Sequence, residues 1–404
     1  MRILISGAGI AGTCLAHWLA KIRPDMAIKV IERSPVPRVT GQAVDIRGPA
    51  IEIVKRMGLL QALKARTTTE KGTTILNSEG KTVAQFAAGE TFTAEYEILR
   101  ADLAELFMEA ADKFDNVEYV YGDNITALYQ SQSSVNVKFA GGNEEAYDAI
   151  VAADGSTSKT RPMILSQNDL KDCYHFLGQY IAFYSIPRLE HDSQYWMWYN
   201  TPKGLSIMIR PHRNGSTMGV YLCVTTPAHG QKDPLVEAAM DKGTDAVKQM
   251  LHEYFYNAGW EAKRVLEGMD RAEDFYFSRA AQVKLDTWSD RNAILLGDAA
   301  WATFGVGTSL AIEGAYVLAG ELSKVTISSE VPAALQRYEQ VFRPFYKTQD
   351  DLLPFYPQAA FPQTKWALQL RNSLLWFVSK TKAYKLLPAG PSDAPKLPND
   401  WLLL

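Results

Sequence analysis

The chain has 404 residues, 47% of them apolar, and a net charge of −3, which is ample for a buried core spread over two or three domains. Nothing in that charge balance supplies the basic field that nucleic acid requires. Three distant cysteines (Cys14, Cys173, Cys223) and six scattered histidines fit neither a disulfide framework nor a metal centre. A first strand starting at residue 2 leaves no room for a signal peptide, and no run reaches the roughly 18 apolar residues of a membrane span. The expectation is a soluble, cytoplasmic protein.

Arg2–Ser6 reads as a strand, 11–21 as a helix and 27–32 as a second strand. Between the first two lies Gly7-Ala-Gly9-Ile-Ala-Gly12, and Glu32 closes the second strand, 20 residues after Gly12. In such a turn Gly7 allows the tight bend, Gly9 lets the backbone approach a pyrophosphate, and Gly12 lets the helix pack against the strand. The helix start offers free N–H groups to the phosphates. A carboxylate at Glu32 suits a ribose 2′-OH, so a dinucleotide is expected here.

A Pro- and Gly-containing loop (Pro35, Pro37, Gly41) follows, then a helix from Pro49 to Leu60 ended near Gly58. Leu99 to Phe114 reads as an amphipathic helix, 117–140 as a small antiparallel hairpin, and Tyr147–Ala153 as a buried strand leading into Asp154-Gly155. From 166 to 285 aromatic and β-forming residues dominate, with Tyr195-Trp-Met-Trp-Tyr199 and Leu205-Ser-Ile-Met-Ile209 among the strands and one helix at 234–258. Ala293–Leu296 returns as a buried strand, followed by Gly297-Asp298 and a helix at 308–324.

Three segments, 7–12 with Glu32, 151–161 and 295–315, thus supply strand-end acids (Asp154, Asp298) and a second small-residue helix start at Gly305-Val-Gly307-Thr308. Together they fit a long dinucleotide along the carboxyl edge of one sheet. At 364–383 Trp366, Leu368, Leu370, Leu374, Leu375 and Phe377 alternate with Arg371, Lys380 and Lys382. Such a helix either lies on a membrane surface or caps the fold with its apolar face; capping is the expectation. Residues 388–404 read as a Pro-rich tail.

The combination resembles the class A FAD-dependent monooxygenases of the para-hydroxybenzoate hydroxylase fold, which include tetracycline-inactivating enzymes and secondary-metabolite tailoring hydroxylases. The resemblance runs from Arg2 to about residue 345. It rests on Ser6–Gly12, Gln42-Ala-Val-Asp-Ile-Arg47-Gly48, Leu99-Arg100-Ala-Asp102, the Asp154-Gly155 segment, Leu296-Gly-Asp298-Ala-Ala300 and Thr308–Leu322. It implies an α/β fold: a Rossmann-type FAD-binding domain (1–70, 95–165, 286–345), an inserted mixed-sheet substrate domain (71–94, 166–285), and a C-terminal helical region and tail (346–404).

Carried over, the resemblance places Gly7, Gly9 and Gly12 at the FAD pyrophosphate and Glu32 at the adenosine ribose. Arg33 and Arg100 fall beside the phosphates and adenine, Arg47 near the middle of the flavin, and Asp154 in the turn by the pyrophosphate. Asp298 falls at the ribityl or pyrophosphate region, and Gly305, Gly307 and Thr308 at the pyrimidine ring. The resemblance further implies NAD(P)H as a transient reductant, O2 as co-substrate, a flavin C4a-hydroperoxide as oxygen donor, and an apolar or aromatic small molecule as substrate. A monomer or homodimer is expected.

One stretch departs from the family pattern. Trp301-Ala-Thr-Phe304-Gly305-Val-Gly307 lacks the usual His or Tyr and the prolines, and is about three residues shorter. Two other readings therefore stay open: a flavin oxidase or dehydrogenase without oxygen insertion, and a non-redox flavin-binding cyclase or ligand scaffold. Arg210, His212 and Tyr221 cluster in sequence, and Arg210 could pair with a substrate anion, but no catalytic residue is assigned. Trp196-Met-Trp198 lacks the Ile-Pro of the flavin-halogenase motif and is not read as one.

Overall fold

The computed structural model describes residues 1–37, 41–89, 94–350 and 355–386. The tail expected at 388–404 lies outside the described residues.

Arg2–Ser6 is apolar on both faces (Ile3, Leu4 and Ile5 are buried), as a strand covered by helices on either side must be. It pairs in parallel with Ala27–Glu32 on one side and Ala149–Ala152 on the other. The six-stranded sheet runs Ser289–Asp290, Ala293–Leu295, Ala149–Ala152, Arg2–Ser6, Ala27–Glu32, Val117–Tyr121, with only its first strand antiparallel. Chain order reverses direction at Arg2–Ser6, so the carboxyl ends of that strand and its neighbours open a crevice. The helices Ile10–Ile22 and Gly307–Ser323 pack on each other there, with Trp18 edge-on to Tyr316 at 4.8 Å. Gly307–Ser323 is buried over nearly its whole surface, in keeping with a sequence apolar but for Glu313, Glu321 and a few hydroxyl residues.

A seven-stranded sheet runs Tyr276–Val283, Tyr174–Pro187, Thr217–Thr225, Leu205–Pro211, Trp196–Thr201, Gly72–Leu76, Thr82–Ala87. All its pairings are antiparallel except Trp196–Thr201 with Gly72–Leu76. One face is buried under three helices through Tyr184, Ile207, Leu222, Leu251 and Val265. The other face carries Ile181, Met208 and Cys223 and is partly covered by Phe361. A two-stranded ribbon, Ala43–Ile46 with Tyr96–Leu99, lies apart from both large sheets. A three-stranded antiparallel sheet is formed by Ile125–Gln130, Val135–Phe139 and Glu144–Tyr147.

Several expectations are corrected. Val117–Tyr121 is not half of a hairpin: it is the parallel edge strand beside Ala27–Glu32. An edge strand with one covered face alternates just as a hairpin strand does, so periodicity alone could not separate the two. The helix read over 49–60 stops at Arg56, where Gly58 takes φ +76°, and Leu60–Arg66 forms a second helix. The helix read over 234–258 is split at Gly243, whose φ of +102° interrupts the α-conformation. A third helix, Ala262–Arg271, follows it. Before Arg100 the chain is the strand Tyr96–Leu99 rather than helix.

The C-terminal helix Lys365–Thr381 corrects the reading of its apolar face. Leu368 is buried, and Leu375 and Val378 pack on Ile75, Ala84 and Phe86 of the seven-stranded sheet. Trp366, Leu370, Leu374, Trp376 and Phe377 instead point outward, each at least half exposed. Among the described residues no helix is long and apolar enough to cross a membrane.

Candidate functional site

The crevice at the carboxyl edge begins at the glycine turn. Gly7 sits at φ +112°, and a Cβ there would stand 2.5 Å from the carbonyl oxygen of Ala153. A Cβ on Gly12 would stand 2.0 Å from the carbonyl of Gly7, so the helix crosses the turn at a distance only glycine permits. Gly9 differs: a Cβ there would meet nothing within 4 Å, and the helix it begins has no side-chain cap. Open space in front of uncapped N–H groups is the shape a phosphate group needs. Glu32 lies beside this turn, its carboxylate accepting from the backbone N–H of Ala8 (3.2 Å) and of Ser34 (3.0 Å). Arg33 follows it out of the strand and is exposed.

Two of the residues singled out in sequence meet across nearly 200 positions. The guanidinium of Arg100 lies 3.7 Å from the carboxylate of Asp298, with both side chains part-exposed. Asp298 opens the short helix Asp298–Trp301, and Gly305, at φ +88°, faces open space just before the helix Gly307–Ser323, which also lacks a side-chain cap. Thr308 is half-buried in its first turn. These open glycines and uncapped helix starts lie along one rim, and they fit the two ends of a long phosphate-containing cofactor.

The remaining predicted residues are placed differently. Both oxygens of Asp154 are taken up by its own turn, one accepting from Ser158 Oγ (2.5 Å) and the other from the N–H groups of Lys159 and Thr160 (3.1 Å each). Arg161, which ends the same segment, is buried and donates to the carbonyl oxygens of Ala299 and Ser156 (3.0 Å each). Arg161 therefore bolts this turn to the Asp298 helix. The Arg47 side chain is exposed and paired with Asp45 at 2.6 Å, while its backbone N–H donates to Ser309 Oγ at 2.9 Å. The strand Ala43–Ile46 is thereby tied to the buried helix, and at its other end the Ala43 N–H donates to Tyr221 Oη on the seven-stranded sheet (3.2 Å).

That sheet face is aromatic. Phe183 stands edge-on to Tyr221 at 4.8 Å, Trp196 lies 5.9 Å from Tyr221 and 4.7 Å from Trp198, and Phe361 stacks on Trp198 at 6.3 Å. The altered stretch 301–307 reaches the same region by Phe304, 4.9 Å from the Tyr356 ring. Trp301, by contrast, is turned into the core. It is buried among Trp288 (4.5 Å), Phe342 (5.3 Å) and Tyr338 (6.3 Å).

Arg210 is 2% exposed and lies between two carboxylates. It bonds Glu70 at 2.7 Å and Glu97 by a short hydrogen bond, and its guanidinium covers the Trp196 ring at 4.2 Å. The reading of Arg210 as a partner for a substrate anion is corrected: the protein's own glutamates already neutralise it. Burial raises the Glu97 carboxyl to about 7 against the pull of Arg210, with Glu70 adding to the rise. Asp45, directly opposite Glu97 on the ribbon, is likewise raised by burial and by Glu97. Burial also pushes the Glu313 carboxyl up to about 8, and this side chain accepts from the Ala50 N–H at 3.1 Å. Sequence reading missed both clusters because Glu70, Glu97 and Glu313 stand singly, without a motif, and only the folded chain surrounds them with apolar groups.

Comparison with known proteins agrees with this geometry. Residues 1–349 match the model of the FAD-binding family described as "FAD binding domain". The chain is 30% identical to FAD-dependent monooxygenase asL4 of Sarocladium schorii, over all of this chain and 97% of that protein. It is 33% identical to monooxygenase CTB7 of Cercospora beticola, over 96% of this chain and 94% of the other. Among solved structures, tetracycline destructase Tet(51) superposes with a TM-score of 0.77 at 27% identity, covering 99% of this chain and 98% of that one. HpxO of Klebsiella pneumoniae, solved with FAD and uric acid, shares the fold at 18% identity and a TM-score of 0.73. The glycine turn, the Arg100–Asp298 rim and these matches lead to one conclusion: the chain belongs to the FAD-binding family and is an FAD-dependent monooxygenase.

Proposed function

We propose that the protein uses NAD(P)H and O2 to insert one oxygen atom into an apolar or aromatic small molecule held on the aromatic face of the seven-stranded sheet. One observation carries this reading. The strand Ala43–Ile46 bonds at one end to Tyr221 of that face and, through Arg47, to Ser309 of the helix bordering the cofactor rim. In this reading the cofactor rim and the apolar face are two walls of one space.

In this reading Gly7, Gly9 and Gly12 hold the FAD pyrophosphate against the first helix, and Glu32 accepts from the adenosine ribose. Arg100 and Asp298 hold the middle of the cofactor, and the backbone at Gly305, Gly307 and Thr308 faces the flavin. Asp154 acts through the turn it caps, and Arg33 and Arg47 supply positive charge at the outer edges. Reduced FAD, when bound, supplies the electrons that activate O2, one oxygen atom going to the substrate and the other to water.

The chain's own residues do the rest. Phe183, Trp196, Trp198 and Met208 exclude water and bind apolar surface. Tyr221 Oη accepts from the Ala43 N–H and, at 3.4 Å, from Arg210, so its own proton points to a third group. We assign that proton to a substrate oxygen, which orients the molecule over the cofactor.

The test supplies labelled O2 and NADPH or NADH to the yellow protein together with a panel of phenolic and polyketide-like aromatics. Label in the product supports the proposal. Peroxide without incorporation into any panel member, or no turnover of any of them, overturns the proposal.

A further inference from the structure

The helix Lys365–Thr381 is apolar on two opposite sides, and among the described residues only one of them is covered. Leu368, Leu375 and Val378 face the sheet. Trp366, Leu370, Leu374 and Phe377, at spacings of four, four and three residues, form a stripe on the opposite side and are 67%, 63%, 60% and 54% exposed. A helix apolar all round belongs inside something, and a contiguous exposed stripe of this kind marks an interaction surface.

Charge decides what the partner is. Residues 364–386 contain five basic side chains and no acid, although the whole chain carries a net charge of −3. Arg371 turns inward to the Ala360 carbonyl at 2.6 Å. Lys365, Lys380, Lys382 and Lys385 are exposed along the helix and just past its end. Pairing with a second copy about a two-fold axis would set these lysines against their own images. An anionic surface complements them, and tryptophan at the rim of an apolar stripe suits the headgroup boundary of a bilayer.

We propose that this helix seats the protein on an anionic lipid bilayer, with Trp366, Leu370, Leu374 and Phe377 entering the acyl boundary and the lysines meeting the headgroups. The inner side of the same helix lies on the sheet beside Trp198, so the helix itself stands between the docked stripe and the sheet. This docking is independent of the reaction proposed above.

The experiment sediments the FAD-bound full chain with phosphatidylcholine vesicles, with and without phosphatidylserine. The expected result is co-sedimentation with the serine-containing vesicles, stronger by about tenfold or more than with pure phosphatidylcholine. The triple variant Leu370→Ser, Leu374→Ser, Phe377→Ser should lose it while keeping its flavin absorbance and melting temperature. Failure to pellet, equal pelleting with neutral vesicles, or a triple variant that pellets like the parent overturns the proposal. Light scattering that gives a dimer abolished by the triple variant overturns it too.

Discussion

The guanidinium of Arg100 stands 3.7 Å from the carboxylate of Asp298, joining a helix start in the first third of the chain to a strand end in the last. Removing Asp298 takes away an acceptor at the proposed cofactor rim and leaves the Arg100 charge without this counter-ion. Asp298→Ala should therefore purify largely colourless, with a melting temperature close to that of the parent's apoprotein. Arg100→Ala should load FAD more weakly, by about tenfold, or ~1.4 kcal/mol. Absorbance near 450 nm relative to that at 280 nm is the measure, and a fully yellow Asp298→Ala would refute the assignment.

Gly9 and Gly12 should separate cofactor binding from folding. Alanine at Gly12 drives a methyl into the Gly7 carbonyl, so Gly12→Ala should melt at least several degrees lower or fail to accumulate. Alanine at Gly9 has space, and the backbone there (φ −79°) accepts any L-residue. Gly9→Ala should fold normally as apoprotein and bind FAD poorly, because its methyl occupies the volume meant for phosphate. Calorimetry of both apoproteins beside FAD titration distinguishes the two effects.

The buried trio around Arg210 calls for unequal responses. Arg210→Met leaves Glu70 and Glu97 facing each other without a counter-charge and should cost about 3–5 kcal/mol of stability. Glu97→Gln keeps the Arg210–Glu70 pair and removes the repulsion between the two carboxylates, so its cost should be much smaller. Denaturant unfolding of the two variants side by side tests the order. Equal losses would mean that the trio does not act as a charge-balanced unit.

Glu313 gives the stability a pH dependence of definite sign. Its carboxyl is raised from an ordinary 4.5 to about 8 by burial, so the folded state prefers the protonated form. The stability it contributes is fully present below about pH 4.5 and is lost as pH rises through 8; Glu97, raised to about 7, acts in the same direction. Glu313→Gln keeps the acceptor for the Ala50 N–H and cannot ionise. It should equal the parent near pH 5 and exceed it near pH 8 by on the order of 2 kcal/mol. Melting curves across that window decide the matter, and parallel curves would remove Glu313 as the cause.

The cofactor half of the molecule was largely legible in the sequence because its information is local. Gly7, Gly9, Gly12 and Glu32 lie within one strand–helix–strand unit, and a glycine turn announces itself in a few adjacent letters. The Arg100–Asp298 meeting required the fold, although each residue was noticed alone. The other half resisted for the opposite reason. Tyr221, Trp196 and Phe361 become neighbours only through strand pairing and chain return, and Glu97 gains its chemistry from burial beside Arg210 and Glu70. Edge-strand alternation hid the true partner of Val117–Tyr121, and Gly243 gave no warning that it would split a helix. The apolar residues of Lys365–Thr381 were legible, but not which of them face outward, because periodicity names an apolar face without saying whether anything lies against it.

Trp301 is held in a hub with Trp288, Tyr338 and Phe342, while Phe304 three residues on reaches out to Tyr356. A fixed post followed by a short free arm lets the arm's length and tip be exchanged without loosening the post. Changes at Phe304 should thus cost the fold little, whereas the indole beneath is held in place by the weight of the whole core.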